Sequence, residues 1–306
     1  MTPRGSEIAF IVNQRAGGLG TSPPLDELVA TLERCGFKPD PILIKKGADP
    51  ADAARDALRR GAKTLVAAGG DGTISAVAST LLDSGATLGV LPMGTRNHFA
   101  RDLRIPMDIG DAARVLANGV VARIDVGEVN GRAFLNNSSL GVYPQMVVWR
   151  EEYRRKGWTK WIALLWAAVT ALGRMPFVKL RLTAAGTDLA GLTPMIFVGN
   201  NEYEIEGFEA GTRRRIDAGR LFIYAVNAST PGGLIHLSLM ALLGRLRQAR
   251  DFDSLCVVEA WVETRRRWAR VSLDGEVTRL ETPLHYRTRP GALRVIVPAK
   301  ELAFEL

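Results

Sequence analysis

Cysteine, histidine and long apolar runs are scarce in this sequence, and each scarcity excludes a class of protein. Two cysteines and three histidines among 306 residues provide neither a disulfide framework nor a zinc-binding set. No uncharged apolar stretch reaches the roughly 18 residues that a membrane-spanning helix needs, and the apolar run near the amino terminus is too short for a secretion signal. We therefore expect a water-soluble, cytoplasmic protein.

Net positive charge is absent from the first part of the chain and concentrated in the rest. Residues 1–128 contain 15 Lys or Arg and 15 Asp or Glu, whereas residues 129–306 contain 25 and 17, so the whole net charge of +8 lies in the later part. Such an excess indicates an anionic partner, such as lipid headgroups or an acidic substrate. Because no recognition motif accompanies the charge, nucleic acid is not an expected partner.

The hydrophobic spacing of residues 1–128 predicts an α/β domain. Short apolar strands alternate with amphipathic helices there, and this alternation predicts a parallel sheet covered by helices. The predicted strands are residues 7–13, 41–44, 64–68 and 87–91, and the predicted helices are residues 24–35, 51–60 and 73–82. Ligands of such sheets bind where the strands end, which directs attention to the loops that follow them.

The remainder of the chain has the alternating pattern of antiparallel strands. It predicts an antiparallel β domain over residues 129–290. We expect the C-terminal segment, residues 291–306, to return to the first domain. The alternating segments are residues 132–140, 178–182, 195–199, 220–226, 256–263, 269–273 and 293–297. Two helical stretches, around residues 158–173 and 234–250, interrupt them.

A glycine-rich turn joins the third predicted strand to the helix that follows it. Its sequence is Ala67-Ala68-Gly69-Gly70-Asp71-Gly72-Thr73. Glycines allow backbone N–H groups to approach an anion closely, and the start of a helix adds a positive dipole. The turn therefore favours phosphate binding over the plain alternative, a strand–helix turn in which Asp71 or Thr73 caps the helix. It has neither the P-loop pattern nor the dinucleotide fingerprint.

Two further loops follow predicted strands, and each is a weak signal alone. Residues 13–18 follow the first strand, and residues 91–101, which include Gly94, Thr95 and Asn97, follow the fourth. A turn with an Asn cap explains the latter equally well. Three such loops at neighbouring strand ends indicate a nucleotide site more strongly. Late in the chain, Asp274-Gly275 between strand residues is first of all a hairpin signal.

Taken together, these motifs resemble those of the diacylglycerol kinase and sphingosine kinase family, in its small soluble bacterial lipid kinase form. The resemblance covers nearly the whole chain through residues 13–18, 69–73, 94–97, 123–127, 136–141 and 273–276. It implies a nucleotide domain like that of NAD kinases and phosphofructokinases, and a β-sandwich domain that holds a lipid.

The resemblance also implies an activity and roles for individual residues. The activity is transfer of the γ-phosphate of ATP to a lipid hydroxyl, with diacylglycerol as the leading substrate and Mg²⁺ on the phosphates. Asp274 is implied as the general base, Glu276 as the residue that orients Asp274 or the metal, and Asp71 as the residue that orients hydrated Mg²⁺. The implied ATP contacts are Asn13, Gly69, Gly70, Asp71, Gly72, Thr73, Ile74, Ser75, Gly94, Thr95 and Asn97.

Two positions depart from the family pattern. His98 stands where the family has an acid, and Ala218 replaces an acid beside Asp217, where the family holds a structural Mg²⁺. They motivate the first of two alternatives that stay open. One is a lipid-binding protein of the same fold with weak or lost kinase activity, and the other is a kinase of a non-lipid alcohol.

Features of the second domain predict peripheral contact with an anionic membrane surface. A helix around residues 158–173 carries large apolar residues on one face and small ones on the other, which suits either lipid or packing on the sandwich. The basic residues are Arg213-Arg214-Arg215, Arg265-Arg266-Arg267, Arg245, Arg247 and Arg250. Each group alone is equally typical of a face exposed to solvent. Their confinement to one domain is what favours contact with a membrane. A homo-oligomer is left open.

Overall fold

The computed structural model of this chain describes residues 7–16, 23–141, 178–184, 187–193, 195–206, 209–213, 215–226 and 252–299. The chain divides into two compact units. The first contains Met1–Val126, Arg215–Asp217 and Pro290–Leu306, and the second contains Gly127–Arg214 and Ala218–Arg289. Among the described residues, no helix has the length and apolar character needed to cross a membrane. The helices predicted around residues 158–173 and 234–250 lie outside the described residues.

The first unit is built on a parallel sheet, as the sequence predicts. Its strands are β1 (Ile8–Val12), β2 (Pro41–Leu43), β3 (Thr64–Gly69) and β4 (Thr87–Pro92), and they pair in the order β2-β1-β3-β4. Its helices are α1 (Leu25–Arg34), α2 (Pro50–Arg59), α3 (Asp71–Leu81), α4 (His98–Asp102) and α5 (Ile109–Asn118). β3 and β4 are buried along their whole length, which is typical of strands covered on both faces.

The described part of the second unit contains two large sheets and one two-stranded sheet. Its strands are β5 (Val120–Val129, which begins in the first unit), β6 (Arg132–Phe134), β7 (Asn137–Gly141), β8 (Val178–Ala184), β9 (Thr187–Thr193), β10 (Met195–Asn200), β11 (Tyr203–Glu206), β12 (Glu209–Arg213), β13 (Leu221–Val226), β14 (Phe252–Val257), β15 (Glu259–Thr264), β16 (Trp268–Leu273), β17 (Glu276–Glu281) and β18 (Leu284–Val297, which ends in the first unit). One sheet has the order β14-β13-β10-β7-β16-β17, and the other contains β9-β8-β15 and the start of β18. These pairs are antiparallel.

One hydrophobic core joins the two sheets of the second unit. Leu140, Ile223 and Val271 contribute to it from the six-stranded sheet, and Val262 and Tyr286 contribute from the other. The Tyr286 hydroxyl bonds Ser138 Oγ at 3.0 Å, and burial raises the pKa of Tyr286 to about 12. The predicted combination of an α/β domain with an antiparallel β domain is therefore confirmed.

Two predicted strands are wrong because each is really two strands. Residues 132–140 form β6 and β7, since the N–H groups of Leu135, Asn136 and Asn137 bond the Asp274 carboxylate instead of a neighbouring strand. Residues 256–263 contain the end of β14 and the start of β15, which belong to different sheets. The buried residues Val257 and Ala260 are three apart there, which breaks strict alternation.

The last strand begins well before its predicted start. β18 begins at Leu284, whereas the sequence pattern indicated residues 293–297. Near its end, Arg294 and Val295 pair in parallel with Thr87 and Leu88 of β4. This pairing adds a strand to the sheet of the first unit.

Candidate active site

Three loops meet at the ends of β1, β3 and β4 in the first unit. The N–H of Asn13 donates to Ala68 O, and the N–H of Met93 donates to Gly69 O, both at 2.9 Å. A Cβ atom added to Gly70 would lie 3.3 Å from Gly94 Cα and 3.8 Å from Ala16 Cβ. The three loops that the sequence singles out therefore lie against one another.

The glycine-rich turn leaves the start of α3 without a side-chain cap. α3 begins at Asp71, and its N-cap residue is Gly70, which has no side chain to bond the first turn. The first N–H groups of a helix have no partner within the helix, so they attract an anion together with the helix dipole. Gly69 is required here because its Cβ would lie 2.7 Å from the Thr73 side chain. Thr73 Oγ1 in turn accepts the Asn13 side-chain N–H at 3.0 Å.

Asn97 shapes the loop after β4. It is buried, its φ is +51°, and its Oδ1 accepts the Gly94 N–H at 2.9 Å while its Nδ2 donates to Gly94 O at 2.8 Å. A Cβ on Gly94 would lie 2.6 Å from Gly70 Cα, so this glycine permits the close approach of the two loops. Thr95, one residue further, is exposed. Asn97 thus holds the turn, and Thr95 stands outside it.

Asp71 has a structural contact as well as a candidate role with metal. Its Oδ1 accepts the Phe99 N–H at 3.1 Å, which ties the start of α3 to α4. Within the part of the chain that the structure describes, no group of three His, Cys, Asp or Glu side chains is arranged to hold a metal ion. A single carboxylate such as Asp71 nevertheless fits Mg²⁺ bound to phosphates, because Mg²⁺ keeps most of its waters and uses few carboxylates.

Five of the predicted ATP contacts, residues 71–75, lie in α3. Ile74 is 0% exposed and its N–H donates to Gly70 O at 3.0 Å, so it supports the turn from below. Ser75 O accepts the Ser79 hydroxyl at 2.8 Å. Gly72 is half-buried in the first turn of the helix. Ile74 is therefore part of the core under the site.

Asp274, in the second unit, is held by three main-chain N–H groups. It directly follows β16, and its φ is +49°. Its Oδ2 accepts the Leu135 N–H at 2.8 Å, and its Oδ1 accepts the Asn136 and Asn137 N–H groups at 2.7 and 3.1 Å. Three donors fix the plane of the carboxylate. Asp274 and Gly275 connect β16 to β17, so the turn that the sequence predicts is present. Glu276 is exposed at the start of β17.

A buried arginine supports the same loop from its other side. Arg213 is 6% exposed and donates to Leu135 O at 2.8 Å, Asn200 O at 2.9 Å and Asn136 Oδ1 at 3.1 Å. Its guanidinium also lies 5.7 Å from the centre of the Tyr203 ring. The loop at residues 135–137 is thus fixed by Arg213 through its oxygens and by Asp274 through its N–H groups.

Arg213 corrects one interpretation of the basic run at residues 213–215. The run is predicted from the sequence to face a membrane or solvent, but Arg213 is internal. Arg215 is exposed and donates to Asp217 Oδ1 at 3.1 Å, and this hydrogen bond raises the pKa of the Arg215 guanidinium. The Asp217 carboxylate therefore faces the Arg215 guanidinium at the position where the sequence resemblance implies a structural Mg²⁺. Nothing in the sequence distinguishes Arg213 from its neighbours.

Comparison with known proteins identifies the family. A family model described as the diacylglycerol kinase catalytic domain matches residues 7–129. A diacylglycerol kinase from Staphylococcus aureus strain JH9 is 30% identical over 223 residues, which cover 72% of this chain and 70% of that protein. A protein from Pseudomonas savastanoi pv. phaseolicola named probable lipid kinase YegS-like is 28% identical over 283 residues, covering 89% of this chain and 88% of its own.

A crystal structure extends the likeness to the whole fold. The structure described as a diacylglycerol kinase from Bacillus anthracis str. Sterne has a TM-score of 0.68 and 19% sequence identity, and it covers 96% of this chain and 98% of that one. At this identity the likeness concerns the fold. Together with the sequence matches, it confirms the resemblance that the motifs indicate. The chain therefore belongs to the diacylglycerol kinase catalytic-domain family and is a kinase.

Proposed function

We propose that this kinase transfers the γ-phosphoryl group of ATP to the free hydroxyl group of diacylglycerol. The observation that carries the proposal is the turn at residues 69–73, where an uncapped helix start lies beside Gly94. Such a turn suits a triphosphate because amide donors and a helix dipole both attract anionic oxygens. The names of two relatives support the acceptor, since one is named a diacylglycerol kinase and the other a lipid kinase.

On the nucleotide side, we assign contact and support to different residues. The partly exposed positions Gly70, Asp71, Gly72, Gly94 and Thr95 are proposed to meet the phosphates. The residues proposed to support them from behind are Asn13, Gly69, Thr73, Ile74, Ser75 and Asn97. Asp71 is the carboxylate proposed to hold Mg²⁺. When bound, Mg²⁺ neutralises charge on the phosphate oxygens.

On the acceptor side, Asp274 is proposed as the general base. An alcohol is a poor nucleophile near neutral pH, so its proton must pass to a base as the oxygen attacks the γ-phosphorus. The hydroxyl oxygen forms a bond to phosphorus, the bond from phosphorus to ADP breaks, and the carboxylate takes the proton. The three amide donors of Asp274 support this role because they fix the direction in which the carboxylate points. Glu276 is proposed to orient Asp274 or the metal.

Transfer of a labelled phosphate tests the activity directly. The protein is incubated with ATP labelled at the γ-phosphate, Mg²⁺ and vesicles containing diacylglycerol, and label is counted in the organic phase. The proposal expects label in phosphatidic acid. Label in a water-soluble alcohol supplied in parallel, and none in lipid, would instead support a kinase of a non-lipid alcohol. Lipid binding without any transfer would support the catalytically weak alternative, which the exposed His98 motivates.

The base assignment is tested by Asp274→Asn. Turnover is expected to fall about 10²- to 10⁴-fold, the usual contribution of a positioned base, while ATP affinity measured by calorimetry is unchanged. The matched control is Glu263→Gln, which removes the charge of an exposed carboxyl on β15 in the same way. It should leave turnover as in the wild type. Near-normal turnover in Asp274→Asn would contradict the assignment.

The exposed turn between β15 and β16 is proposed as the contact with an anionic membrane surface. Arg265, Arg266 and Arg267 are exposed there, and Trp268 beside them is 46% exposed. Arginines attract anionic headgroups, and tryptophan suits the membrane–water boundary. Changing Arg265 and Arg266 to Gln should weaken sedimentation with anionic vesicles by about fivefold per arginine at low salt. Binding to zwitterionic vesicles serves as the control, and equal binding by wild type and variant would contradict the contact.

A further inference from the structure

Two buried serine hydroxyl groups close to Asp274 in the sheet have no hydrogen-bond partner. Ser139 on β7 and Ser272 on β16 are each 1% exposed, and neither Oγ atom makes a hydrogen bond within the part of the chain that the structure describes. Buried hydroxyl groups are nearly always paired, because taking them out of water without a partner is unfavourable. We refer to these two side chains as the hydroxyl pair.

The hydroxyl pair lies on one face of the six-stranded sheet. β7 and β16 are antiparallel, and Ser139 is directly opposite Ser272, so both side chains leave the same face. Ser138, the preceding residue, points to the opposite face, where its hydroxyl bonds Tyr286 in the core shared by the two sheets. The hydroxyl pair therefore lies on the face turned away from that core.

The cross-strand neighbours of the hydroxyl pair are apolar. Phe197 of β10 is opposite Ser139, and Val277 of β17 is opposite Ser272. The Phe197 ring is 5.6 Å from the Tyr203 ring and 6.0 Å from the Tyr224 ring. A hydrogen bond made in such surroundings is stronger than one made in water. The hydroxyl pair therefore has apolar side chains beside it on both flanking strands.

Asp274 is the next position along the same pair of strands. Its N–H donates to Asn137 O at 2.9 Å, so Asp274 and Asn137 follow Ser272 and Ser139 at a spacing of two residues. That spacing is about 7 Å along a strand. In a diacylglycerol, only a few bonds separate the free hydroxyl oxygen from the nearest ester carbonyl. An acceptor whose hydroxyl reaches Asp274 therefore brings an ester carbonyl near the hydroxyl pair.

We infer that Ser139 and Ser272 donate hydrogen bonds to an ester carbonyl oxygen of the lipid acceptor and thereby determine acceptor specificity. The inference rests on the proposed function and deepens it. A hydroxyl group donates one hydrogen bond and a carbonyl oxygen accepts two, so one carbonyl satisfies both serines. An alkyl ether has no carbonyl oxygen to accept them. The kinase should therefore prefer ester-linked to ether-linked acceptors.

The test compares diacylglycerol with the dialkylglycerol of equal chain length, for the wild type and for the double variant Ser139→Ala/Ser272→Ala. The wild type is expected to show about tenfold higher kcat/KM for the ester, the size of one or two ordinary hydrogen bonds. In the double variant the ratio falls to about one through a higher KM for diacylglycerol, while the KM for ATP is unchanged. The melting temperature stays equal or rises, because alanine removes hydroxyl groups that no partner satisfies.

Two matched controls separate recognition from ordinary structural effects. Ser138→Ala removes a hydroxyl group from the core face of β7, where it bonds Tyr286, so it should lower the melting temperature and leave the ester preference intact. Thr288→Val removes another buried hydroxyl group that lacks a partner, on β18, and should leave both kcat/KM values unchanged.

Three results would overturn the inference. A wild type that phosphorylates both lipids equally well refutes it and leaves the proposed function standing. A double variant that melts at a lower temperature but keeps the ester preference shows that the serines serve only the fold. A wild type that phosphorylates neither lipid refutes the proposed function and the inference together.

Discussion

The two units form their candidate site residues in opposite ways. In the first, the site consists of main chain, and its decisive residues are glycines that lack a side chain, as at Gly70 and Gly94. In the second, it consists of a side chain, Asp274, which main-chain N–H groups hold in place. The first site is therefore disrupted by adding atoms and the second by removing them.

This difference explains which parts of the site resist substitution. A turn made of glycines tolerates almost no added volume where two backbones touch, because a backbone cannot move aside as a flexible side chain can. A carboxylate held by amides depends on the loop that carries those amides. Mutations far from Asp274 in the sequence, such as changes at Arg213, should therefore affect it.

The largest effect is expected for Gly94→Ala. The added Cβ would lie 2.6 Å from Gly70 Cα and 2.7 Å from Asn97 Oδ1, so the two loops must separate. ATP affinity measured by calorimetry should fall at least about 100-fold, since several phosphate contacts depend on one geometry. Gly191→Ala is the matched control, because its Cβ would meet nothing within 4 Å. Unchanged ATP affinity in Gly94→Ala would break the contrast between the units.

The second effect concerns Arg213, the support of the Asp274 loop. Arg213→Ala removes one donor from each of three buried oxygens, of which Leu135 O keeps a second donor in Asn200 Nδ2, and should lower the free energy of unfolding by about 3 kcal/mol. Turnover should fall with it, whereas ATP affinity should not change. Urea unfolding, steady-state kinetics and calorimetry measure the three quantities. Arg213→Lys should recover part of the stability, and loss of ATP binding in either variant would contradict a role confined to the second unit.

The third effect depends on pH and concerns Tyr286. Its pKa is raised from 10.0 to about 12 by burial, so the unfolded chain loses this proton at lower pH than the folded chain does. Stability from this group is therefore complete below pH 10 and declines as pH rises toward 12, by about 1.4 kcal/mol per pH unit. Tyr286→Phe should remove this part of the decline, as urea unfolding at pH 9 to 11 would show. An equal decline in stability for the wild type and Tyr286→Phe would contradict this role of Tyr286.

The smallest effect is expected for the exposed pair Arg267–Glu281. The guanidinium and carboxylate are 2.8 Å apart, but their side chains are 76% and 51% exposed. Solvent and salt weaken such pairs, so Arg267→Gln should change the free energy of unfolding by less than about 0.5 kcal/mol. A larger loss in urea unfolding would show that this turn contributes to the fold of the second unit as strongly as its core does.

Most of the first unit could be predicted from the sequence, although α5 could not, whereas only β8, β10, β13 and β16 of the second unit match single predicted strands. β1 to β4 and the helices between them follow from apolar runs and turn residues, with ends misplaced by one or two residues. Local patterns suffice there because each strand is followed by its own helix. The three glycine-rich or Asn-containing loops were also recognisable, since their residue types are needed for the turns themselves.

The second unit depends on contacts between residues that are distant in the sequence. The break between β6 and β7 is caused by Asp274, more than 130 positions later, so no local pattern could indicate it. The strands β9, β11, β12 and β17 lack an alternation clear enough to predict them. Arg213 resembles its exposed neighbours in the sequence because burial of an arginine is decided by its partners.

The final strand bears on how the chain matures during synthesis. Leu284 and Tyr286 at its start belong to the core of the second unit, whereas Val295 pairs with Leu88 of the first. Residues 290–297 leave the ribosome only after the second unit has been made. The edge of β4 therefore lacks its β18 partner while the whole β domain is translated. A chaperone that covers exposed strand edges would act during that interval.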